Sequence, residues 1–378
     1  MALPKLRFKE FDSEWALQNL GSLFSKRRDK GISGVPTYSV TLNNGIVNRD
    51  DLERDTPTNL SPQEHLLVKK NDLAYNMMRM WQGALGLAPT DGIVSPAYVV
   101  LKPSEQKTNS NFFEYYFKRN RQIHNFWAYS QGLTEDRLRL YFDDFKVIKI
   151  NAPSKEEQTK IASFLSAVDE KIAQLAQKHE LLSQYKQGMM QKLFSQQIRF
   201  TEDNGCEYGE WGVKNFDEVL STISIRNNQI QANQILEAGK IPVIDQGQRY
   251  IAGYTNDVSK ALKPRKGFII FGDHTTALKF VEFSFVVGAD GVKVLDVTQE
   301  GNLAKYMYYY LSHNKLQPEG YKRHFTILRE IEIQVPCLEE QTKIANFLSA
   351  IDEKIEKVAQ QIEETKQWKK GLLQQMFV

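Results

Sequence analysis

The side chains that most often do covalent or metal chemistry are present in this chain, but not at spacings that such chemistry can use. The six histidines (65, 124, 179, 274, 313 and 324) and the two cysteines (206 and 337) form no ligand pattern, and neither HExxH nor CxxC occurs. There is no GxxxxGK[ST] phosphate loop, no GxGxxG after a strand-like segment, and no Asn/Asp-Pro-Pro-aromatic stretch of the kind that grips a flipped base. Gly-Asp-His-Thr-Thr, residues 272–276, is the one cluster open to a catalytic reading. Neighbouring side chains such as Asp273 and His274 point apart on most backbones, and no nucleophile lies in sequence reach, so a polar loop at a strand end is the better reading.

Recognition chemistry is better represented. Several segments mix Arg, Lys, amides and aromatics. The first half of the chain offers Lys26 and Arg27, then Asn76, Arg79, Trp81 and Gln82, then Arg121, then Gln131, Arg137 and Arg139. The second half offers Gln246 and Arg249, then His274, Thr275 and Lys279, then Lys322, Arg323 and His324. Arginine can fork onto guanine, Asn and Gln onto adenine, and Lys onto phosphate, so these are the candidate DNA-binding residues. Taken singly, each segment is ordinary solvated surface. Taken together, they recur near the end of each half, ahead of a long helical segment.

Those helical segments are the frame on which the rest must sit. Residues 153–194 align without a gap onto 336–377 at a constant offset of 183, with 24 of 42 positions identical. Each copy opens with Pro and then Glu-Glu, residues suited to a helix start and to its positive end. Apolar positions then step 4-3-4-3. Ile161, Leu165, Val168, Ile172, Leu175, Leu182, Met189 and Leu193 carry the first copy; Ile344, Leu348, Ile351, Ile355, Val358, Ile362, Leu372 and Met376 carry the second. A heptad seam of this length predicts a coiled coil. Leu165, Ile172, Leu175 and Leu182 of one helix are expected at an interface with Leu348, Ile355, Val358 and Ile362 of the other. Helices of about 38 residues would be roughly 57 Å long. Lys186 and Lys369 occupy the same seam position, either fixing register or lying along the seam with their heads in water. Phe164, Phe194, Phe347 and Phe377 fall outside the seam. They are candidate partner-binding residues, with packing on the neighbouring domains as the alternative.

Outside the helices the halves diverge. At 378 residues the chain suits two to four domains. The expected blocks are 1–152, 153–195, 196–335 and 336–378: variable, helical, variable, helical. The variable blocks are rich in β-branched and aromatic residues broken by turns. Strands are expected within 73–89, 97–103, 241–246, 267–273, 279–289 and 291–297, with short helices at 111–121, 303–312 and around 135–140. DLAYN followed by VSPAYVVL parallels GFIIFGD followed by GVKVL, and each block opens alike, Arg7-Phe8 then Trp15, Arg199-Phe200 then Trp211. A tandem duplication accounts for this. Net charge is +3; residues 1–152 hold 21 basic against 17 acidic side chains, and residues 196–335 hold 16 against 17. The second block cannot bind nucleic acid by bulk charge. No apolar run is long enough to span a membrane, the start lacks a secretory pattern, and two isolated cysteines suit reduced thiols, so the expectation is a cytoplasmic protein with no membrane association.

PKLRF…W near the start, the doubled P-x-x-E-E-Q-x-K-I-A-x-F-L-x-x-x-D-x-K-I, the run GLTEDRLRLYFDDFKVIKI ahead of the first copy, and the closing GLLQQMF give the chain a close likeness over its whole length. It resembles the specificity (S) subunit of type I restriction-modification systems. The resemblance implies an α+β fold in which two mixed, strand-rich target-recognition domains are joined by two long antiparallel coiled-coil helices in a pseudo-two-fold tandem repeat. Each recognition domain would read one half of a bipartite, asymmetric double-stranded DNA site. The helix pair would set the spacer and dock two methyltransferase (M) subunits, with restriction (R) subunits in the full complex. The chain itself would be non-catalytic and hold no metal or cofactor; S-adenosylmethionine, ATP and magnesium would belong to the partners. A fused DNA-modifying enzyme and a coiled-coil adaptor that binds only proteins are the alternatives.

Overall fold

The computed structural model describes residues 3–52, 60–288, 290–298, 300–318, 320 and 323–378. The chain divides into two compact units, residues 1–175 with 361–378, and residues 176–360. Each unit is one strand-rich domain together with the beginning of one long helix and the end of the other.

Unit 1 starts with β1 (Ala16–Asn19), the single-turn α1 (Leu20–Leu23) and β2 (Phe24–Lys26). It continues through β3 (Thr37–Thr41), β4 (Gly45–Asn48), β5 (Leu66–Val68), β6 (Leu73–Asn76), β7 (Leu85–Leu87), β8 (Gly92–Val94) and β9 (Tyr98–Pro103). Helices α2 (Ser110–Phe117), α3 (Asn120–Ala128) and α4 (Phe142–Phe145) follow, then β10 (Lys149–Ala152) and the long α5 (Lys155–Phe194). One sheet has the order β2-β9-β6-β7 and is antiparallel; a second has the order β4-β3-β8-β5, with β3 and β8 parallel. The central strands are buried on both faces, which is why they read as unbroken apolar runs. Leu73 and Tyr75 of β6 and Val99 and Leu101 of β9 face an aromatic core containing Phe112, Phe113, Tyr116, Phe117 and Phe145. Ala74 and Val100, one residue out of phase, face the second sheet. The sheets meet where β7 crosses β4: a Cβ on Gly86 would stand 2.3 Å from the Ile46 nitrogen, so only glycine fits.

Unit 2 repeats this plan with different residues. It runs β11 (Gly212–Asn215), α6 (Phe216–Val219), β12 (Leu220–Ile223), β13 (Ile241–Ile244), β14 (Gly253–Thr255), β15 (Phe268–Gly272), β16 (Leu278–Val281), β17 (Val286–Val287), β18 (Val292–Val297), α7 (Ala304–His313), α8 (Phe325–Leu328), β19 (Glu332–Val335) and α9 (Leu338–Gln375). The sheet order β12-β18-β15-β16 matches that of unit 1, and β13 again pairs parallel with the strand after the hairpin, β17. The correspondence of DLAYN with GFIIFGD is therefore structural: they are β6 and β15. Among the described residues unit 2 has no counterpart of α3.

Each domain is closed at its base in the same way. Its first strand pairs antiparallel with the strand that enters the long helix, β1 with β10 and β11 with β19. The second glutamate of each Glu-Glu pair, expected to serve the helix dipole, proves to be a buried clasp. Glu157 is 2 % exposed and accepts two bonds from Arg7 (2.7 Å each) and one from the Trp15 indole (3.3 Å). Glu340, 0 % exposed, accepts from Arg199 (3.2 and 2.8 Å) and from the Trp211 indole (2.9 Å). The next residue ties down the chain entering the domain helix. Gln158 accepts from the Asn109 N–H and donates to the Lys107 and Pro153 carbonyls; Gln341 does the same with Leu303, Gly301 and Pro336.

The long helices span 40 and 38 residues. The seam positions are buried or half-buried throughout, Leu165, Leu175, Leu348 and Val358 fully so, and Ile172, Leu182, Ile355 and Ile362 partly. The two seam lysines are ion-paired. Lys369 meets Asp169 at 2.5 Å in unit 1, and Lys186 meets Asp352 at 2.6 Å in unit 2. The α9 partner retreats from 369 to 352 as α5 advances from 169 to 186, so the helices run antiparallel. Each aspartate also accepts from a tyrosine of the domain helix, Tyr115 at 2.7 Å and Tyr309 at 2.8 Å, and each lysine lies 5.2 Å from that tyrosine's ring centre.

Two expectations need correction. The four off-seam phenylalanines pack within the chain. Phe377 is buried against Trp15, Phe112 and Tyr116, Phe194 against Tyr306 and Tyr310, Phe164 stands edge-on to Phe8 and Trp368, and Phe347 lies on Phe200. Burial in their own units removes Phe194 and Phe377 as partner-binding residues, whereas Phe164 and Phe347 are only half-buried. The helix expected around 135–140 shrinks to a single 3-10 turn, Glu135–Arg137, because Arg139 turns back to pair with Gln131.

The clasp gives a sharp contrast within one dipeptide. Glu157→Ala strands a buried guanidinium and indole and is expected to destabilise unit 1 by about 3 kcal/mol. Glu156→Ala, on the exposed face, is expected to unfold near the parent's urea midpoint; urea unfolding of both variants checks this. A double-mutant cycle on Lys369 and Asp169 is expected to give a coupling of about 1 kcal/mol that shrinks in 1 M salt.

Candidate nucleic-acid interface

In unit 1 three of the candidate segments meet at one end of the antiparallel sheet. The β6–β7 connection, residues 77–84, is a folded turn rather than a loose loop. The Asn76 side chain accepts from the Met78 N–H (3.0 Å), the Trp81 indole donates to the Met78 carbonyl (3.0 Å), and Gly83 turns the chain at φ 94°. Arg79 stands exposed and donates to Gln82 (3.1 Å). Helix α3 packs on this turn, with Ile123 beside Gly83, and presents Arg121 to solvent. The 130–140 segment docks on it from the other side, the Leu140 N–H bonding the Met77 carbonyl and the Tyr75 hydroxyl bonding the Leu140 carbonyl. Backbone bonds between Gln131 and Arg139 pinch that segment into a small hairpin carrying exposed Arg137 and Arg139, while the Gln131 side chain donates to Asp144 (2.7 Å). Lys26 lies exposed on β2, close enough to act on Asp143 of α4, whose carboxyl is held below the usual range chiefly by Lys146.

In unit 2 the corresponding end of the sheet gathers the other three segments. Gln246 accepts from the His274 N–H (3.3 Å), and its carbonyl takes the Thr275 hydroxyl (2.5 Å). Asp273 does structural work: its carboxylate caps the Phe325 N–H at 2.9 Å and its carbonyl accepts from the His324 N–H. The Gly-Asp-His-Thr-Thr segment is thus a strand-end turn, as expected, with Thr276 at φ 54°. Arg249 and Arg323 are exposed beside it. Lys322 lies outside the described residues.

Three candidates are placed elsewhere than a DNA-facing role requires. Arg27 is half-buried, forking onto Asp72 at 2.5 and 3.1 Å and onto Asp29 at 2.8 Å. Lys279 is 5 % exposed, its ammonium bonded to the Asp245 carbonyl at 2.8 Å; burial holds its pKa below the usual lysine value, with Asp245 opposing. His324 is 1 % exposed, with Nδ1 3.0 Å from the Asp273 carbonyl. Residue type alone cannot separate a cation that faces solvent from one needed to neutralise a buried carboxylate. Conversely, the structure adds apolar groups that the polar-residue reading passed over. Met78, Trp127, Tyr129 and Tyr141 are exposed around the unit 1 cluster, and Leu133, at the tip of the 131–139 hairpin, is 96 % exposed. Trp and Tyr on the outer face of the short α3 were the available signal.

Among the described residues no group of three or more His, Cys, Asp or Glu could hold a metal ion, and no helix is long and apolar enough to cross a membrane. Both units thus present basic, amide and aromatic side chains at the same end of equivalent sheets, on turns of dissimilar sequence.

The family model for the type I restriction modification DNA specificity domain matches the chain twice, over residues 14–184 and 208–367. A putative type I restriction enzyme MjaX specificity subunit from Methanocaldococcus jannaschii is 27% identical over 293 residues, covering 71% of this chain and 68% of that one. The crystal structure of a type I restriction-modification S subunit from M. genitalium superposes with a TM-score of 0.66 at 17% identity, covering 100% of this chain and 99% of the other. A chain from a structural study of complex assembly and conformational transition in the type I R-M system gives 0.52 at 16% identity, covering 98% and 99%. The two matched segments each contain one strand-rich domain and most of the helix that follows it, so the chain belongs to the family of type I restriction-modification DNA specificity subunits and carries the family's domain twice.

Proposed function

We propose that each unit reads one half of a bipartite, asymmetric site on double-stranded DNA, while the helix pair sets the spacer and docks two methyltransferase (M) subunits. The observation that carries this reading is the contrast between seat and loops. The Glu–Arg–Trp clasp, the Gln tie and the Asp–Lys–Tyr contact are the same in both units. The turns at the sheet ends share almost no sequence. Identical seats suit a partner present in two copies; dissimilar turns suit two different base sequences. Base edges in the major groove offer distinct donor and acceptor patterns to exposed Arg79, Arg137 and Arg139 with half-buried Gln82 in one unit, and to exposed Arg249 and Arg323 with half-buried His274 in the other.

In this reading the chain performs no covalent step. Methyl transfer with S-adenosylmethionine, and ATP- and magnesium-dependent work by restriction (R) subunits, belong to its partners in the cytoplasm. Spacer length follows from helix length, since roughly 57 Å corresponds to about 17 base pairs.

Methylation mapping of a host expressing this chain with its methyltransferase tests both parts. Arg79→Ala with Gln82→Ala is expected to relax or change one half-site and leave the other and the spacer intact; a change in both halves contradicts the division. Removing residues 173–179 and 356–362 deletes one heptad from each helix and retains both Lys–Asp pairs. It is expected to shorten the tolerated spacer by about three base pairs, because seven residues rise about 10.5 Å. An unchanged spacer would rule out the ruler. Methyl transfer by the purified chain alone would favour a fused enzyme, and no DNA binding even with methyltransferase would favour a protein-only adaptor.

A further inference from the structure

A second feature is repeated in both units and is not used by the base-reading turns. In unit 1 a groove of about 540 Å³ lies between the end of α2, the start of α3 and the last turns of α9. In unit 2 a groove of about 780 Å³ lies between the end of α7 and the last turns of α5. They are the same groove. The helix offset of 183 carries Lys186, Met190 and Gln191 of one onto Lys369, Leu373 and Gln374 of the other. Tyr115 and Tyr309, which make the same contact with their aspartates, align α2 with α7, and that alignment carries Arg119 and Arg121 onto His313 and Lys315.

Both grooves are cationic. Lys118, Arg119, Arg121, Lys369 and Lys370 line the first against only Glu114 and Asp169. Among the described residues no carboxylate lines the second, which holds Lys186 and Lys315. Several of these cations are committed. Lys118 pairs with Glu114, Lys369 with Asp169, and Lys186 with Asp352, while Arg119 donates to the Val378 carbonyl over the rings of Tyr116 and Phe377. Arg121 and Lys370 in unit 1, and Lys315 in unit 2, make no ion pair among the described residues and line the grooves.

We propose that the two grooves are phosphate clamps, gripping the DNA backbone beside each half-site through Arg121 and Lys370 in unit 1 and Lys315 in unit 2. This rests on the DNA-reading function above and goes beyond it by assigning a sequence-independent contact. Two observations favour a phosphodiester over an acidic protein surface. The unit 1 groove adjoins a reading turn, since Arg121 sits on α3, which packs on the Met80–Gln82 turn, and in unit 2 Lys315 lies nine residues before His324, which bonds Asp273. And the backbone of DNA is the same chemistry under both half-sites, which accounts for a groove retained where the base-reading turns diverged.

The test uses the full chain assembled with its methyltransferase. Its probes are one duplex carrying the motif found by methylation mapping and one with that motif scrambled, titrated across a range of salt. Arg121→Gln with Lys370→Gln is expected to lower the slope of log affinity against log salt by about 1.8, and Lys315→Gln by about 0.9, weakening both duplexes alike. For Lys315→Gln the methylated motif is expected to stay the same. Gln187→Lys, which places in unit 2 the cation that Lys370 supplies in unit 1, is expected to raise the slope by about 0.9 and tighten both. Unchanged slopes and affinities in all three variants would overturn the clamp. Loss of methyltransferase from the complex with DNA binding intact would overturn it and assign the grooves to a protein surface. If the unaltered complex failed to prefer the motif duplex, the DNA-reading function itself would fall.

Discussion

A carboxylate sealed into the first turn of each long helix cannot be left alone. Removing a carboxylate from water costs several kcal/mol unless it is paired and hydrogen-bonded. Glu157 and Glu340 are almost wholly buried, so an arginine and an indole from the start of each domain must return to meet them. That requirement closes the domain. Its first segment is brought to the helix at the point where its last strand arrives, and the two strands pair as the β1–β10 and β11–β19 ribbons. Gln158 and Gln341, the next residues along, bind the segment that enters α2 or α7. Two adjacent side chains thus seat the beginning, middle and end of a domain on one helical turn. Everything outside the seat is free to change without unseating the domain, and this freedom is what a recognition module needs.

The second contact in the seat settles register. A lysine in an apolar seam either reaches for water or meets an anion. Here it meets an aspartate seventeen residues from the other lysine on the companion repeat: Asp169 with Lys369, Asp352 with Lys186. Under the repeat offset these are one pair with the roles exchanged, which makes the antiparallel arrangement self-consistent. A slip of one heptad would set each lysine opposite an alanine, Ala345 or Ala359 for Lys186 and Ala162 or Ala176 for Lys369. The tyrosine on each aspartate couples the domain helix to the same register. Side chains about a quarter to two-fifths exposed give such a pair modest energy, so its value lies in selecting one alignment over others.

Much of this was legible in the sequence, for definite reasons. The seam, the helix lengths and the paired domains follow from a repeat that survives at 24 of 42 positions. The correspondence of β6 with β15 was visible because strands buried on both faces stay apolar whatever else drifts. The Glu–Arg–Trp clasp is half legible: the recurrent Arg…Trp openings stand out, but their partner lies some 140 residues away, and nothing local distinguishes its glutamate from one that serves the helix dipole. Arg27, Lys279 and His324 were misplaced for a related reason. A basic residue in a polar loop looks the same whether it serves solvent, DNA or a buried acid, and only Asp72, Asp245 and Asp273 in space decide. The apolar tip at Leu133 was passed over because a polar-residue scan does not look for a leucine in water.

The charge balance then fits the architecture. A domain with 16 basic and 17 acidic side chains has no long-range field to draw in a polyanion. Several of its cations are already engaged: Arg199 with Glu340, Arg329 with Asp217, Lys279 with Asp245. What remains is a short set of exposed groups at one end of a sheet and in one groove. If these read DNA as proposed, the unit would discriminate by where its few donors stand rather than by how strongly it attracts a polyanion, because non-specific affinity for phosphate adds equally to right and wrong sites. On the proposed function the remaining affinity would come from whatever assembles on the seat, and a seat repeated in both units would deliver it equally to two halves that read different bases.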